Sequence, residues 1–345
     1  MPVIDTTTHY LLTQLQAGAR SLWLADENSG NVWSALAQYA PRLEILSNRF
    51  DVARAAQSTQ IPTHFSDWEL PAGSSPFDAV FLRICKEKAV NMHLIRLAFA
   101  HLSGGGTLYI AGEKNEGIKS IWDYARNVFG SAERLKKNGH VYAGALKKNG
   151  EATLADNDSY HHIGEIGTWN DIAVYSKPGV YGWDKIDPGS ALLIEHLRTE
   201  ESIWSQAESL LDLGCGYGFL TLASTWLRCA RRVATDNNAG ALACMRKNAE
   251  ARDLLVEIVA ADKGNQVTGK FDLVLCNPPF HRGFDVASDL TREFLVAAKN
   301  KLATRGTAVF VVNSFIPLEK KLNGLFSRCA LLADNRQFKV LALQH

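Results

Sequence analysis

No stretch of this chain approaches the run of about 18 apolar residues that a helix needs to cross a bilayer, so no membrane span is expected. Met1 to His9 lacks the basic region and apolar run of a signal peptide. Six cysteines stand singly, at Cys85, Cys215, Cys229, Cys244, Cys276 and Cys329, and no pair has the spacing of a metal clasp or a redox motif. Adjacent His161 and His162 lack further ligands at workable spacing, so no metal is expected. Scattered thiols suit a reducing compartment, and a cytoplasmic location is expected. One-sided charge is also missing. The net charge of +1 gives no global attraction to a nucleic acid, although it leaves room for a local one. Between Ser131 and Gly150, Arg134, Lys136, Lys137, Lys147 and Lys148 face only Glu133, which fits either a solvated face or a phosphate contact surface.

The most informative segment runs from Phe271 to His281. An apolar, strand-like stretch, Phe271 to Cys276, ends in Asn277-Pro278-Pro279-Phe280. Two prolines can neither extend a strand ladder nor enter a helix interior, so the chain must stop there and present a rigid loop. The loop offers an amide side chain, carbonyls with no amide donor following them, and one flat ring. Those parts suit a planar substrate that carries an amine. His281 and Arg282 lie beside them, placed for a substrate group or for solvent.

Upstream, Leu210 to Leu213 reads as a strand entering the glycine loop Gly214-Cys215-Gly216-Tyr217-Gly218, with a helix expected over Phe219 to Arg231. Arg232 to Asp236 reads as the next strand and Ala239 to Ala251 as the next helix. A further helix is expected over Asp289 to Lys301 and a strand over Gly306 to Val312. This alternation predicts a parallel sheet covered on both faces. Glycines let the loop turn sharply and leave room for a ligand. Asp236, 18 residues after Gly218, suits ribose hydroxyls, but a nicotinamide enzyme has such an acid too. Asp212, at its strand end, is either a ligand-facing or a loop-capping acid. Asp187 or Ser190 is placed to cap an apolar helix beginning near Ala191.

The first half has the same grammar. Ser21 to Asp26 matches the strand that ends at Asp212, with an offset of 186. Phe77 to Leu82 matches Phe271 to Cys276 with an offset of 194, and Gly106 matches Gly306 with an offset of 200. A duplicated domain is expected. The counterpart of Asn277-Pro278-Pro279-Phe280 is Arg83-Ile84-Cys85-Lys86, so the first copy reads as catalytically empty. The expected division is residues 1–150, a joint over 151–185, and a catalytic domain over 186–345.

Phe271 to His281 resembles motif IV of the amino methyltransferases, and Asp212 to Gly218 resembles motif I of class I methyltransferases. The resemblance implies an α/β fold of two tandem class I (Rossmann-like) S-adenosylmethionine methyltransferase domains, the first degenerate. It implies S-adenosylmethionine on Asp212, Gly214, Cys215, Gly216, Gly218, Asp236 and Asp262. Catalysis is expected from Asn277, Pro278 and Phe280, and substrate contact from Pro279, His281, Arg282, Asn313 and Phe315. Across nearly the whole chain, the tandem plan, the Tyr181 to Gly189 entry and Val312 to Glu319 are similar to the bacterial ribosomal RNA guanine-N2 methyltransferases. Of these, the small-subunit methyltransferase C type is favoured over the large-subunit methyltransferase G type. The implied partner is 16S ribosomal RNA, within the small subunit or an assembly intermediate. Glutamine N5-methylation of a release factor, N6-methylation of DNA adenine, and a noncatalytic RNA-binding role remain as alternatives.

Overall fold

The computed structural model describes residues 5–29, 32–152, 159–279, 281–282, 285–286, 290–318, 322 and 324–345. The chain divides into two compact units, Met1–His161 and His162–His345.

The first unit is built on strands β1 (Ser21–Leu24), β2 (Leu43–Ser47), β3 (Thr63–Phe65), β4 (Phe77–Arg83), β5 (Leu102–Glu113), β6 (Lys136–Asn138) and β7 (Val141–Lys147). They form one sheet in the order β3-β2-β1-β4-β5-β7-β6, with β7 antiparallel to both its neighbours. In the second unit, β8 (Gly164–Trp169) and β9 (Ile172–Ser176) make a hairpin within the segment expected to be a joint. Strands β10 (Ser209–Leu213), β11 (Arg231–Asp236), β12 (Glu257–Ala260) and β13 (Phe271–Cys276) follow. After them come the short pair β14 (His281–Arg282) and β15 (Asp285–Val286), then β16 (Leu302–Asn313), β17 (Arg328–Asp334) and β18 (Phe338–Gln344). The second sheet runs β12-β11-β10-β13-β16-β18-β17, the same order as the first.

Each sheet separates two apolar clusters, because both faces of its central strands are covered. Leu22, Leu24, Val80 and Leu82 point into one cluster of the first unit, while Trp23, Ile45 and Phe81 point into the other. In the second unit Leu210, Leu273 and Leu275 alternate in the same way with Leu211, Leu213, Val274 and Cys276.

The two units also share an irregularity. Phe77 pairs with Leu102, and the register then slips so that Ala79 meets Thr107. Phe271 pairs with Leu302, and the same slip brings Leu273 to Thr307. At both slips a glycine lies against a carbonyl. A Cβ on Gly106 would stand 3.0 Å from the Phe77 oxygen, and one on Gly306 would stand 2.6 Å from the Phe271 oxygen. An identical kink held by the same residue type is difficult to obtain except by duplication.

The registers correct one alignment. Trp23 pairs with Phe81, and Asp212 pairs with Leu275, the counterpart of Phe81. The offset along this strand is therefore 189 (Leu24 to Leu213) instead of 186, and Trp23, not Asp26, is the counterpart of Asp212. The helix expected over Phe219 to Arg231 is also shorter, spanning Phe219–Ala223. The buried Arg232 guanidinium donates to the Ser224 and Leu227 carbonyls, and the chain turns around it instead of continuing the helix.

Candidate active site

The parallel pairings of β10 through β13 and β16 bring their C-terminal ends to one edge of the second sheet. Ligands bind outside that edge in open α/β sheets. Asp212, the glycine loop, Asp236, Asp262, Asn277 and Asn313 all lie there because each ends, or directly follows, one of these strands.

Asp212 is 0% exposed. Its Oδ2 accepts from the Thr221 amide at 3.0 Å and from the Thr221 hydroxyl at 2.7 Å. Its Oδ1 is buried with no hydrogen-bond partner among the described residues. Burial pushes the carboxyl up to about 7, against the lowering effect of the Thr221 hydrogen bonds, and Asp236 adds a further upward push. One oxygen of this carboxyl thus ties down the short helix, and the other has no partner among the described residues.

The glycine loop folds back on β11. Gly214 and Cys215 both donate to the Thr235 carbonyl at 2.9 Å, and Gly218 donates to the Cys215 carbonyl at 2.8 Å. Gly216 donates to Asp236 Oδ2 at 2.8 Å, while Asn238 donates to Asp236 Oδ1 at 2.8 Å. Asp236 is therefore oriented by two amides. The glycines differ in what surrounds them. A Cβ on Gly218, at φ +92°, would sit 2.0 Å from Met245 Sδ; one on Gly216, at φ +55°, would meet nothing within 4 Å. The first is a packing glycine and the second borders open space. Cys215 is buried, and burial pushes its thiol well up, so it lines the loop as a neutral group. Asp262 follows β12 next to Asp236, because Ala261 donates to the Asp236 carbonyl at 3.0 Å; its carboxylate pairs with Lys263.

Asn277 follows β13 and is partly buried. Its Nδ2 donates to Asp187 Oδ2 at 2.8 Å and to Ser190 Oγ at 2.9 Å. Pro278 is buried behind it, and Pro279 is partly exposed. Phe280 lies outside the described residues. The backbone of His281 and Arg282 forms β14. Asn313 ends β16, and Phe315, in the turn after it, is 81% exposed at the same edge.

Sequence reading missed Asp187 and Ser190 as part of this site, seeing in them only candidate caps. Asp187 does cap helix Pro188–Thr199, accepting from the Ser190 amide at 2.7 Å. Its reach to Asn277 spans 90 positions of sequence, and no local pattern signals that contact.

Among the described residues, the first unit has none of this chemistry. Trp23, in the place of Asp212, stacks on Phe81, and Phe81 stacks on Tyr109. Arg83, in the place of Asn277, is buried and makes two 2.6 Å bonds to Glu116. An aromatic stack and an ion pair occupy the positions that form the candidate site in the second unit. Of the basic stretch, Lys136, Lys137 and Lys147 are exposed on strands β6 and β7, and Lys148 bonds to the Leu102 carbonyl.

Residues 171–342 match the family model for the methyltransferase small domain, and residues 11–157 match the model for the N-terminal part of that family. The chain is 29% identical over 321 residues to ribosomal RNA small subunit methyltransferase C of Shewanella loihica, covering 90% of each chain. It is 28% identical over 330 residues to the protein of that name from Haemophilus influenzae, covering 94% of each. The solved structure of the T. thermophilus 16S rRNA N2 G1207 methyltransferase, in complex with AdoMet and guanosine, superposes with a TM-score of 0.85 at 26% identity. That match covers 99% of this chain and 92% of the other.

Proposed function

The chain belongs to the methyltransferase small domain family, and from that premise we propose that it transfers a methyl group from S-adenosylmethionine to the exocyclic N2 of a guanine in 16S ribosomal RNA. The observation that carries the reading is the Asn277 amide. Its nitrogen is engaged by Asp187 and Ser190, so its oxygen is the atom left to accept from a substrate N–H.

The residues present fit the cofactor. The unpartnered, buried Oδ1 of Asp212 suits an ammonium, and the open space at Gly216 would be lost to any side chain. Asp236 suits the ribose hydroxyls and Asp262 the adenine side, with Gly214, Cys215 and Gly218 shaping the turn between them. S-adenosylmethionine supplies the electrophilic methyl group of its sulfonium.

A guanine N2 is a weak nucleophile because its lone pair is drawn into the ring. Asn277 Oδ1 and the Pro278 carbonyl accept hydrogen bonds from its N–H groups, which fix the amine and favour lone-pair density toward the methyl donor. Phe280, outside the described residues, is assigned to stacking on the base plane. Such positioning by fixed dipoles is sufficient for the transfer, and no covalent intermediate on the protein is needed. The proton released from N2 passes to water. A base in structured RNA must leave its stack to enter. Pro279, His281, Arg282, Asn313 and the exposed Phe315 are assigned to the flipped base and its flanking nucleotides.

The natural substrate is proposed to be the small subunit or an assembly intermediate of it, in the cytoplasm. Incubation with labelled S-adenosylmethionine and small subunits, large subunits, naked 16S and 23S RNA, or release factor tests this. Label on guanine of 16S RNA is expected; label confined to protein glutamine or to 23S RNA overturns it. Asn277→Ala is expected to keep its fold and cofactor affinity while losing turnover.

A further inference from the structure

We infer that Asp187 and Ser190 are positioning residues for methyl transfer, which lock the Asn277 amide in the one orientation that leaves its oxygen for the substrate. This rests on the catalytic reading of Asn277. The two ends of an amide have nearly the same shape, so its orientation is settled by its partners. A carboxylate only accepts, so the Asn277 atom 2.8 Å from Asp187 Oδ2 must be the amino nitrogen. Ser190 Oγ, at 2.9 Å, takes the second N–H of the same nitrogen. A flipped amide would set oxygen against carboxylate oxygen here, and would offer its N–H groups to a substrate amine that also donates.

Asp187 is itself held from several directions. Its Oδ2 accepts the Ser190 amide at 2.7 Å as the cap of helix Pro188–Thr199, and Pro188 in the first turn presets the backbone for that helix. Its own N–H donates to the Tyr217 hydroxyl at 3.2 Å. Tyr217 belongs to the glycine loop, so one short segment ties that loop to Asn277. Gly189 provides the clearance: a Cβ there would stand 2.9 Å from the Phe338 ring and 3.2 Å from Asp187 Oδ2. The Asp187-Pro188-Gly189-Ser190 turn therefore caps a helix with the same oxygen that orients the amide.

Asp187→Ser separates the two roles, since serine is a good cap but is too short to reach Asn277. Single-turnover assays on small subunits should show a rate reduced by roughly 10- to 100-fold, as expected for a misplaced catalytic group. The cofactor Kd and thermal midpoint should stay near those of the wild type. Asp187→Asn, which keeps an acceptor oxygen at full reach, should recover most of the rate. Ser190→Ala leaves the backbone cap intact and should show a several-fold loss, so the inference stays testable if Asp187→Ser folds poorly. In an Asn277→Ala background, Asp187→Ser should cause no further loss, because the two act as one unit. A wild-type rate in both Asp187→Ser and Ser190→Ala, or a full additional loss on top of Asn277→Ala, overturns the positioning role alone. A wild-type rate in Asn277→Ala overturns the reading of Asn277, and this inference with it.

Discussion

Trp23 holds in the first sheet the register position that Asp212 holds in the second, each on the strand between the β2-type and β4-type neighbours. One is an indole stacked on Phe81 with ring centroids 5.4 Å apart; the other is a buried carboxyl with one oxygen that has no partner among the described residues. The same backbone thus supports a packed aromatic core in one copy and a buried acid in the other.

That difference predicts one cofactor per chain. Calorimetric titration with S-adenosylmethionine should give a stoichiometry of one, and a value of two would contradict the assignment of the first unit as empty. Trp23→Ala should cost about 3–5 kcal/mol in urea unfolding, as expected for removing a large buried ring.

Asp212 predicts a pH dependence. Burial raises its folded-state pKa to about 7, above the ordinary value of 3.8, so the folded chain holds a proton that the unfolded chain has released. Its contribution to stability is fully present below pH 3.8 and is lost as pH rises toward 7. A ligand ammonium favours the ionised form, so cofactor affinity should rise with pH up to about 7 and then level off. Binding below that pH should release a proton, measurable as a buffer-dependent heat. Asp212→Asn should abolish both effects.

The two loop glycines should fail differently. Gly218→Ala puts a Cβ 2.0 Å from Met245 Sδ at φ +92°, and should cost roughly 2–4 kcal/mol through strain and overpacking. Gly216→Ala meets no neighbour at φ +55°, so its stability loss should stay near 1 kcal/mol while cofactor affinity drops. Thermal unfolding with and without cofactor separates the two. Equal affinity losses at equal stability would sink the distinction.

Arg83 and Glu116 are both nearly buried, with side-chain exposures of 8% and 6%. Arg83→Ala leaves the Glu116 charge in the interior and should destabilise the chain by about 3–5 kcal/mol. The double replacement Arg83→Met, Glu116→Leu should recover most of that loss, because it removes both charges and keeps the volume. Denaturant midpoints for the two variants check the contrast.

Local chemistry made much of this molecule legible. Phe271–Cys276 was readable to the residue because an apolar run stops at two prolines. Ala239–Glu250 showed its helical spacing, and Asn277 announced itself beside those prolines. The helix after the glycine loop is shorter than its sequence predicts because Arg232, from the next strand, takes the Ser224 and Leu227 carbonyls. Sequence alone aligns Asp26 with Asp212 because both are acids near a strand end; only strand pairing shows that Trp23 stands in that place.

By itself, the sequence determined the alternation of elements, the duplication, the glycine turn and the proline-stiffened amide loop. Each depends on neighbours within a few positions or on plain repetition. Only the tertiary structure decided which way the Asn277 amide points, which Asp212 oxygen is spent, and what plugs the first copy. Those outcomes rest on contacts such as Asp187 to Asn277 and Arg83 to Glu116. Partners so distant in sequence come within 3 Å only because the folded sheets and the elements packed on them bring them together.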